Sequence, residues 1–145
     1  MALEDMSGGF GAQEGIIAAV VLLAILVPQI ISVVVYHRAL SALPRQRRLM
    51  SPGSTYLLLI PFFGTAYEFY VVLRLSRSFE EHFAAEGIPR EGGFGRGIGL
   101  AFCVCNACAL IPVAGLLPAV AGFLLWLGYL LTVRELYGEL LAIGR

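Results

Sequence analysis

The sequence predicts an all-α, polytopic membrane protein with four transmembrane helices and one interfacial amphipathic helix. Of its 145 residues, 59% are hydrophobic and only 14% are charged. The mean hydropathy of +0.83 is too high for a soluble domain of this size. The basic side chains are all arginines that flank apolar stretches. Arginines in such positions are typical of a membrane protein, where they set its orientation. No nucleic-acid partner is therefore expected.

Residues 1–15 are acidic and glycine-rich and lack the basic start of a signal peptide, so they are predicted to form a tail. Residues 16–145 are predicted to form one transmembrane domain. Its first span covers about residues 16–36, close to the ~20 residues that a bilayer requires. Ala24, Pro28 and Ser32 share one helical face, with Gln29 beside them. This small and polar face is expected to turn toward other helices.

An arginine-rich loop without acidic residues follows the first span and is predicted to be cytoplasmic. Three of its side chains are candidate contacts to anionic lipid head groups, each contributing ~1 kcal/mol near a charged leaflet. They are Arg45, Arg47 and Arg48. Setting the topology would also explain these arginines without any lipid-specific role.

The second span is predicted over about residues 55–73 and leads into an amphipathic helix over about residues 74–87. Leu75, Phe79 and Phe83 repeat at helical spacing opposite charged side chains. Such a helix most simply lies along the membrane surface.

The third and fourth spans, about residues 98–111 and 116–133, are predicted to form an antiparallel hairpin. The pattern LIPxxG occurs at residues 59–64 and again at residues 110–115. Both copies precede a helix that ends in arginine and glutamate. A duplicated hairpin or a coincidence would explain this echo.

The first helix usually dominates orientation, which favours an outside N-terminus, a cytoplasmic first loop and an outside C-terminus. The second loop region also carries arginines, so the counts on the two sides are nearly equal. The inverted orientation therefore stays open.

Glu68 is the principal candidate for a functional residue because it lies inside the second predicted span. A charged carboxylate near the bilayer centre costs at least ~2.5 to 3.5 kcal/mol, and such residues tend to line ion paths. The alternative is a glutamate that holds helices together by hydrogen bonds to Asn106, Gln29 or a tyrosine. This alternative is favoured because no intramembrane arginine or histidine is available as a relay partner.

No metal, cofactor or catalytic site is expected. Cys103, Cys105 and Cys108 resemble a soft-metal spacing, but Cys103 would point away from the other two on one helix. They are interpreted as small packing residues. The glycines of residues 93–99 lack the spacing and the βαβ setting of a dinucleotide fingerprint. An enzyme is not expected because no catalytic triad or paired carboxylates are recognisable.

Three sequence segments carry a resemblance to a known group. They are SPG at 51–53, LIPFFGTAYEFYVVLRLSRSFEEHF at 59–83 and IPVAG at 111–115. Together they resemble a family of small bacterial multispanning membrane proteins of unassigned function. The resemblance covers about residues 51–141 and implies a helical bundle in the bacterial inner membrane. That family more often has an amide or another polar residue at the position of Glu68.

The expected function is a non-enzymatic structural or accessory subunit that assembles through helix packing, alone or within a larger membrane complex. Its expected partners are the lipid bilayer and other membrane subunits or a second copy of itself. Four helices of this length are expected to leave little room for a cavity in one monomer. The alternative is a homo-oligomeric ion channel or small transporter with Glu68 along the pathway. A third hypothesis is a membrane-shaping protein that inserts Phe79 and Phe83 into lipid.

Overall fold

A computed structural model describes residues 2–60, 63–88, 92–109 and 115–143, with side chains from residue 11 onward. All regular elements in these ranges are helical, and none of their residues forms a strand, which confirms the all-α class. Helices α1 (Ala2–Ala42), α2 (Phe63–Ala85), α3 (Arg96–Ala109) and α4 (Leu116–Ile143) follow one another along the chain. Two 3₁₀ helices, Arg45–Arg47 and Pro52–Leu59, lie between α1 and α2.

Helix α1 begins at Ala2, so the predicted acidic tail continues the first helix in this structure. Two segments are long and apolar enough to cross a membrane, Gly11–Ala42 of α1 and the whole of α4. Helix α3 has 14 residues and rises only ~21 Å, less than the ~30 Å of a hydrocarbon core. The described residues therefore contain two helices that are both long and apolar enough to span a membrane, where the sequence predicts four spans.

The second predicted span is not one continuous helix, which corrects that prediction. Pro52–Leu59 forms a 3₁₀ helix that lies antiparallel to the start of α2. The two segments touch where Gly64 lies against the backbone carbonyl of Leu58, and any side chain at residue 64 would collide with it. Glycine at this position therefore allows the chain to fold back within the predicted span.

Helices α1, α2 and α4 run in the same direction, and α3 runs in the opposite direction. The contacts that fix these directions are Ser32 with Trp126, Tyr36 with Tyr129, Asn106 with Glu68, and Arg96 with Glu80. The two helix pairs are related by the packing of α3 on α4, where Gly99 lies against Tyr129 and Gly122 against Cys105. The first loop, the second loop and the end of α4 consequently lie at the same end of the molecule. This arrangement corrects the expected alternation, in which the C-terminus lies on the side opposite the first loop.

The predicted surface-lying amphipathic helix is the second half of α2, which corrects its expected position on the membrane. Leu75, Phe79 and Phe83 are fully buried and belong to one core cluster with Leu40 of α1 and Leu136 of α4. The apolar stripe is real, but it lies in the protein core together with apolar side chains of α1 and α4. No lipid is needed to remove it from water.

The molecule has two ends of different polarity. The charged end consists of residues 38–51, 74–88, 92–97 and 134–143, and it contains every arginine among the described residues. The apolar end consists of residues 11–37, 52–60, 63–73, 98–109 and 115–133. Among its described side chains, Glu14 and Glu68 are the only carboxylates, and it has no arginine.

Candidate functional site

A cavity of about 340 Å³ lies between the four α-helices in the apolar end. This finding corrects the expectation that one monomer leaves little interior space. The cavity brings together all three candidate intramembrane residues, one from each of the first three helices. Its polar lining consists of Gln29, Ser32, Thr65, Glu68, Asn106 and Trp126.

The wall that α1 contributes is the small and polar face recognisable in the sequence. Ala24, Pro28, Gln29 and Ser32 all line the cavity. Alanine and serine keep this wall thin, and proline cannot donate a backbone hydrogen bond to the preceding turn. The space that larger side chains would fill on this face stays open.

Glu68 of α2 is 1% exposed, and its Oε2 accepts a hydrogen bond from Nδ2 of Asn106 of α3 at 3.2 Å. Within the described residues this is the only hydrogen bond to the carboxyl group, although a carboxylate has about four acceptor positions. The described lining contains no arginine or histidine. Glu68 therefore has a neutral amide as its partner and no charged one within the described part of the chain.

Trp126 of α4 forms the aromatic wall of the cavity, a role that the sequence analysis missed. Its indole Nε1 donates a hydrogen bond to Oγ of Ser32 at 2.7 Å, which fixes α4 against α1. The indole ring also lies tilted against Phe123, with ring centroids 5.5 Å apart. The sequence does carry a signal for this role, because Trp126 lies deep within an apolar stretch and not at a predicted membrane–water interface.

The cavity is closed toward the charged end by an aromatic pair one helical turn further along α1 and α4. Tyr36 and Tyr129 contact each other edge to face, with centroids 5.9 Å apart, and both are fully buried. Gly99 makes room for this pair, because a Cβ there would lie 2.9 Å from Cε2 of Tyr129. Neither tyrosine hydroxyl has a hydrogen-bond partner among the described residues.

The mouth of the cavity lies between α1 and α4, away from the charged end. Exposed residues of both helices form its rim: Ala24, Ile25, Ala119 and Phe123. All four are apolar. A ligand would thus reach Glu68 across an apolar surface.

Two of the three arginines predicted to contact lipid, Arg47 and Arg48, make intramolecular hydrogen bonds. Nη1 of Arg47 donates to the backbone carbonyls of Glu81 and His82 at the end of α2, at 3.3 and 3.4 Å. Arg48 donates to the carbonyls of Leu43 and Ser41, at 2.7 and 2.6 Å. These bonds hold the loop after α1 against the ends of α1 and α2. Arg45 is exposed and is the candidate that still suits a lipid contact.

The three cysteines lie along α3 and do not form a ligand set. Cys103 is buried, whereas Cys105 and Cys108 are half-buried. Cys105 packs where α3 meets α4, since a Cβ added to Gly122 would lie 3.2 Å from the Cβ of Cys105. Within the described ranges, no three metal-ligating side chains come together.

No protein-family model, curated protein or solved structure matches the chain. The resemblance to small bacterial multispanning proteins thus stays a prediction from sequence motifs. Interpretation of the site depends on its geometry alone.

Proposed function

We propose that the protein is a non-enzymatic, multi-pass integral membrane protein that assembles with other membrane helices through the first half of α1. The observation that supports this proposal is that every residue from 11 to 25 is exposed. These residues form a largely apolar helical surface that no other described part of the chain covers. The sequence resemblance supports a bacterial inner membrane as the location.

The distribution of charge supports a membrane position for the apolar end. Glu14 and Arg38 bracket residues 15–37 of α1, which rise ~35 Å along the helix axis. This length matches a hydrocarbon core of ~30 Å. By the positive-inside tendency, the charged end faces the cytoplasm and the N-terminus of α1 lies outside.

The proposed assembly surface is a stripe of small residues on α1. Gly11, Gly15 and Ala19 follow one another at four-residue intervals, so they share one helical face. A Cβ added to Gly11 or Gly15 would meet no atom within 4 Å. Small residues at this spacing let two membrane helices approach closely, which favours a helix of a second subunit or a second copy as the partner.

Native mass spectrometry of the protein, extracted from its own membrane in mild detergent, tests this proposal. We expect a complex of fixed stoichiometry that Gly15→Leu disrupts. Gly138→Leu is the matched control, because Gly138 is also an exposed helical glycine with no atom near an added Cβ. A monomeric wild type, or equal behaviour of both variants, would contradict assembly through α1.

A small transporter is the second candidate function, and the cavity around Glu68 favours it. Glu68 lies between helices of its own chain, so a pathway within each protomer suits the geometry better than a pathway on a shared axis. Ion or solute flux in liposomes, altered by Glu68→Gln, would support transport. A flat flux record for the wild-type protein would exclude it.

A further inference from the structure

We propose that the Glu68 cavity is a binding site for a lipophilic organic cation, with the carboxylate of Glu68 as its counter-charge. The ligand class is an amine or quaternary ammonium compound with apolar substituents. This inference does not depend on assembly through α1, and only its entry route rests on the proposed membrane position.

The charge of the site selects a cation. Glu68 is buried and receives one hydrogen bond from the neutral amide of Asn106. The chain contains no lysine, and the described lining supplies no arginine or histidine. A buried carboxylate without a positive partner has a large desolvation penalty, and a bound cation would offset it.

The remaining lining selects an apolar and aromatic ligand body. The cavity volume of about 340 Å³ lies within the usual range of small-molecule sites. Trp126 of α4 and Phe102 of the adjoining helix α3 line the cavity, and Pro28 adds an apolar surface from α1. Tryptophan is the side chain that attracts organic cations best through the face of its ring. The indole is held in place by its hydrogen bond to Ser32.

The route into the site disfavours hydrated inorganic ions. The mouth between α1 and α4 has an apolar rim in the part of the molecule proposed to lie in hydrocarbon. The buried pair of Tyr36 and Tyr129 separates the cavity from the charged end. A ligand that partitions into the bilayer can enter by this route, whereas a small hydrated ion would have to lose its water first.

A simple packing role for Glu68 and Asn106 would leave no reason for the open space beside them. Polar pairs that only join helices are normally enclosed by neighbouring side chains at close-packed density. Here the pair faces a cavity large enough for several non-hydrogen atoms. The open volume next to an uncompensated carboxylate distinguishes a ligand site from a packing contact.

The chain has one tryptophan, Trp126, and it lines the cavity, so its fluorescence reports directly on the site. The full-length protein in lipid nanodiscs is titrated with benzyltrimethylammonium chloride. Neopentylbenzene, which has the same shape without the charge, is titrated in parallel, and sodium chloride controls for ionic strength. We expect a saturable fluorescence change with the ammonium compound and at least tenfold weaker binding of its neutral analogue.

Glu68→Gln should weaken binding of the ammonium compound at least tenfold while leaving binding of the neutral compound unchanged. Glu80→Gln is the matched control, because Glu80 is an exposed carboxylate on the same helix and should leave binding unaltered. The proposal would be overturned by a non-saturable response of the wild type, by equal affinity for both compounds, or by unchanged affinity in Glu68→Gln. The two-compound comparison on the wild type decides the question even where the variant fails to fold.

Discussion

The charged end and the apolar end of this protein have different polarity patterns, although the same helices run through both. In the charged end, Phe79 and Phe83 are buried while Glu80 and Glu81 face outward, as in a small water-soluble domain. The apolar end also has a buried apolar core, but there large apolar side chains face outward as well and a carboxylate is buried. Leu117 is 82% exposed, whereas Glu68 is 1% exposed.

This difference fits the proposal that the apolar end lies in hydrocarbon and the charged end in water. Burial of apolar side chains drives folding where water surrounds the protein, as at the charged end. In hydrocarbon that drive disappears, and polar contacts and close helix approach hold the helices together. The hydrogen bonds from Asn106 to Glu68 and from Trp126 to Ser32 are the interior contacts of this second kind.

The largest expected effect is in the core of the charged end. Phe79→Ala should lower the free energy of unfolding by ~3 to 5 kcal/mol, because Phe79 is fully buried among other apolar side chains. Leu117→Ala in the apolar end should change it by less than ~0.5 kcal/mol. Denaturant unfolding in a fixed detergent measures both variants. Comparable losses would show that the two ends do not differ in how they are stabilised.

The boundary between the ends depends on close packing at Gly99. Gly99→Ala should cost ~1 to 3 kcal/mol, because the new Cβ would lie 2.6 Å from Cγ1 of Val72 and 2.9 Å from Tyr129. Gly97→Ala is the control, since a Cβ there meets no atom within 4 Å. Thermal unfolding of the two variants separates the packing effect from the general effect of replacing a helical glycine. A Gly99→Ala protein as stable as the Gly97→Ala protein would show that Gly99 does not pack closely against Val72 and Tyr129.

The polar interior of the apolar end predicts a further loss of stability. Asn106→Ala should cost ~1 to 3 kcal/mol, because it leaves the buried Glu68 without its hydrogen bond. The same substitution in a Glu68→Gln background should cost less, since a neutral amide tolerates burial better than a carboxylate. Unfolding measurements on this double-mutant cycle give the coupling free energy between residues 68 and 106. Strict additivity would mean that the two side chains do not interact.

The smallest expected effect is at the loop between α1 and α2. Arg47→Ala should cost ~0.3 to 1 kcal/mol, because Arg47 donates to two carbonyls at the C-terminus of α2. Arg45→Ala should leave the stability unchanged in detergent, since Arg45 is exposed. Binding to vesicles with anionic lipid could distinguish them further, with Arg45→Ala expected to have the larger effect on lipid binding.

The sequence predicts the helical class, the inward face of α1 and the polar residues that meet in the cavity. Periodicity alone places Gln29 and Ser32 on the face that proves to line the site. The fold-back within the second predicted span could not be predicted in this way. It depends on the approach of Gly64 to Leu58, and hydropathy does not report such a contact.

The burial of the amphipathic half of α2 could also not be predicted from the sequence, and the reason is a different one. The spacing of Leu75, Phe79 and Phe83 establishes an apolar stripe but not what covers it. Such a stripe can be covered either by lipid or by neighbouring helices. In this protein the stripe lies in a core cluster to which α1 and α4 also contribute, and the parallel arrangement of these two helices follows from the same fold-back near Gly64.

Cysteine labelling with a membrane-impermeant maleimide most directly tests the division into two ends. Single cysteines at Gly11, Gln46 and Gly138 are introduced into a chain whose own cysteines are replaced by alanine. In sealed membrane vesicles, the structure predicts that residues 46 and 138 are labelled from the same side of the membrane and residue 11 from the opposite side. Labelling of residue 138 from outside, with residue 46 protected, would contradict it, because the charged end would then be divided by the membrane.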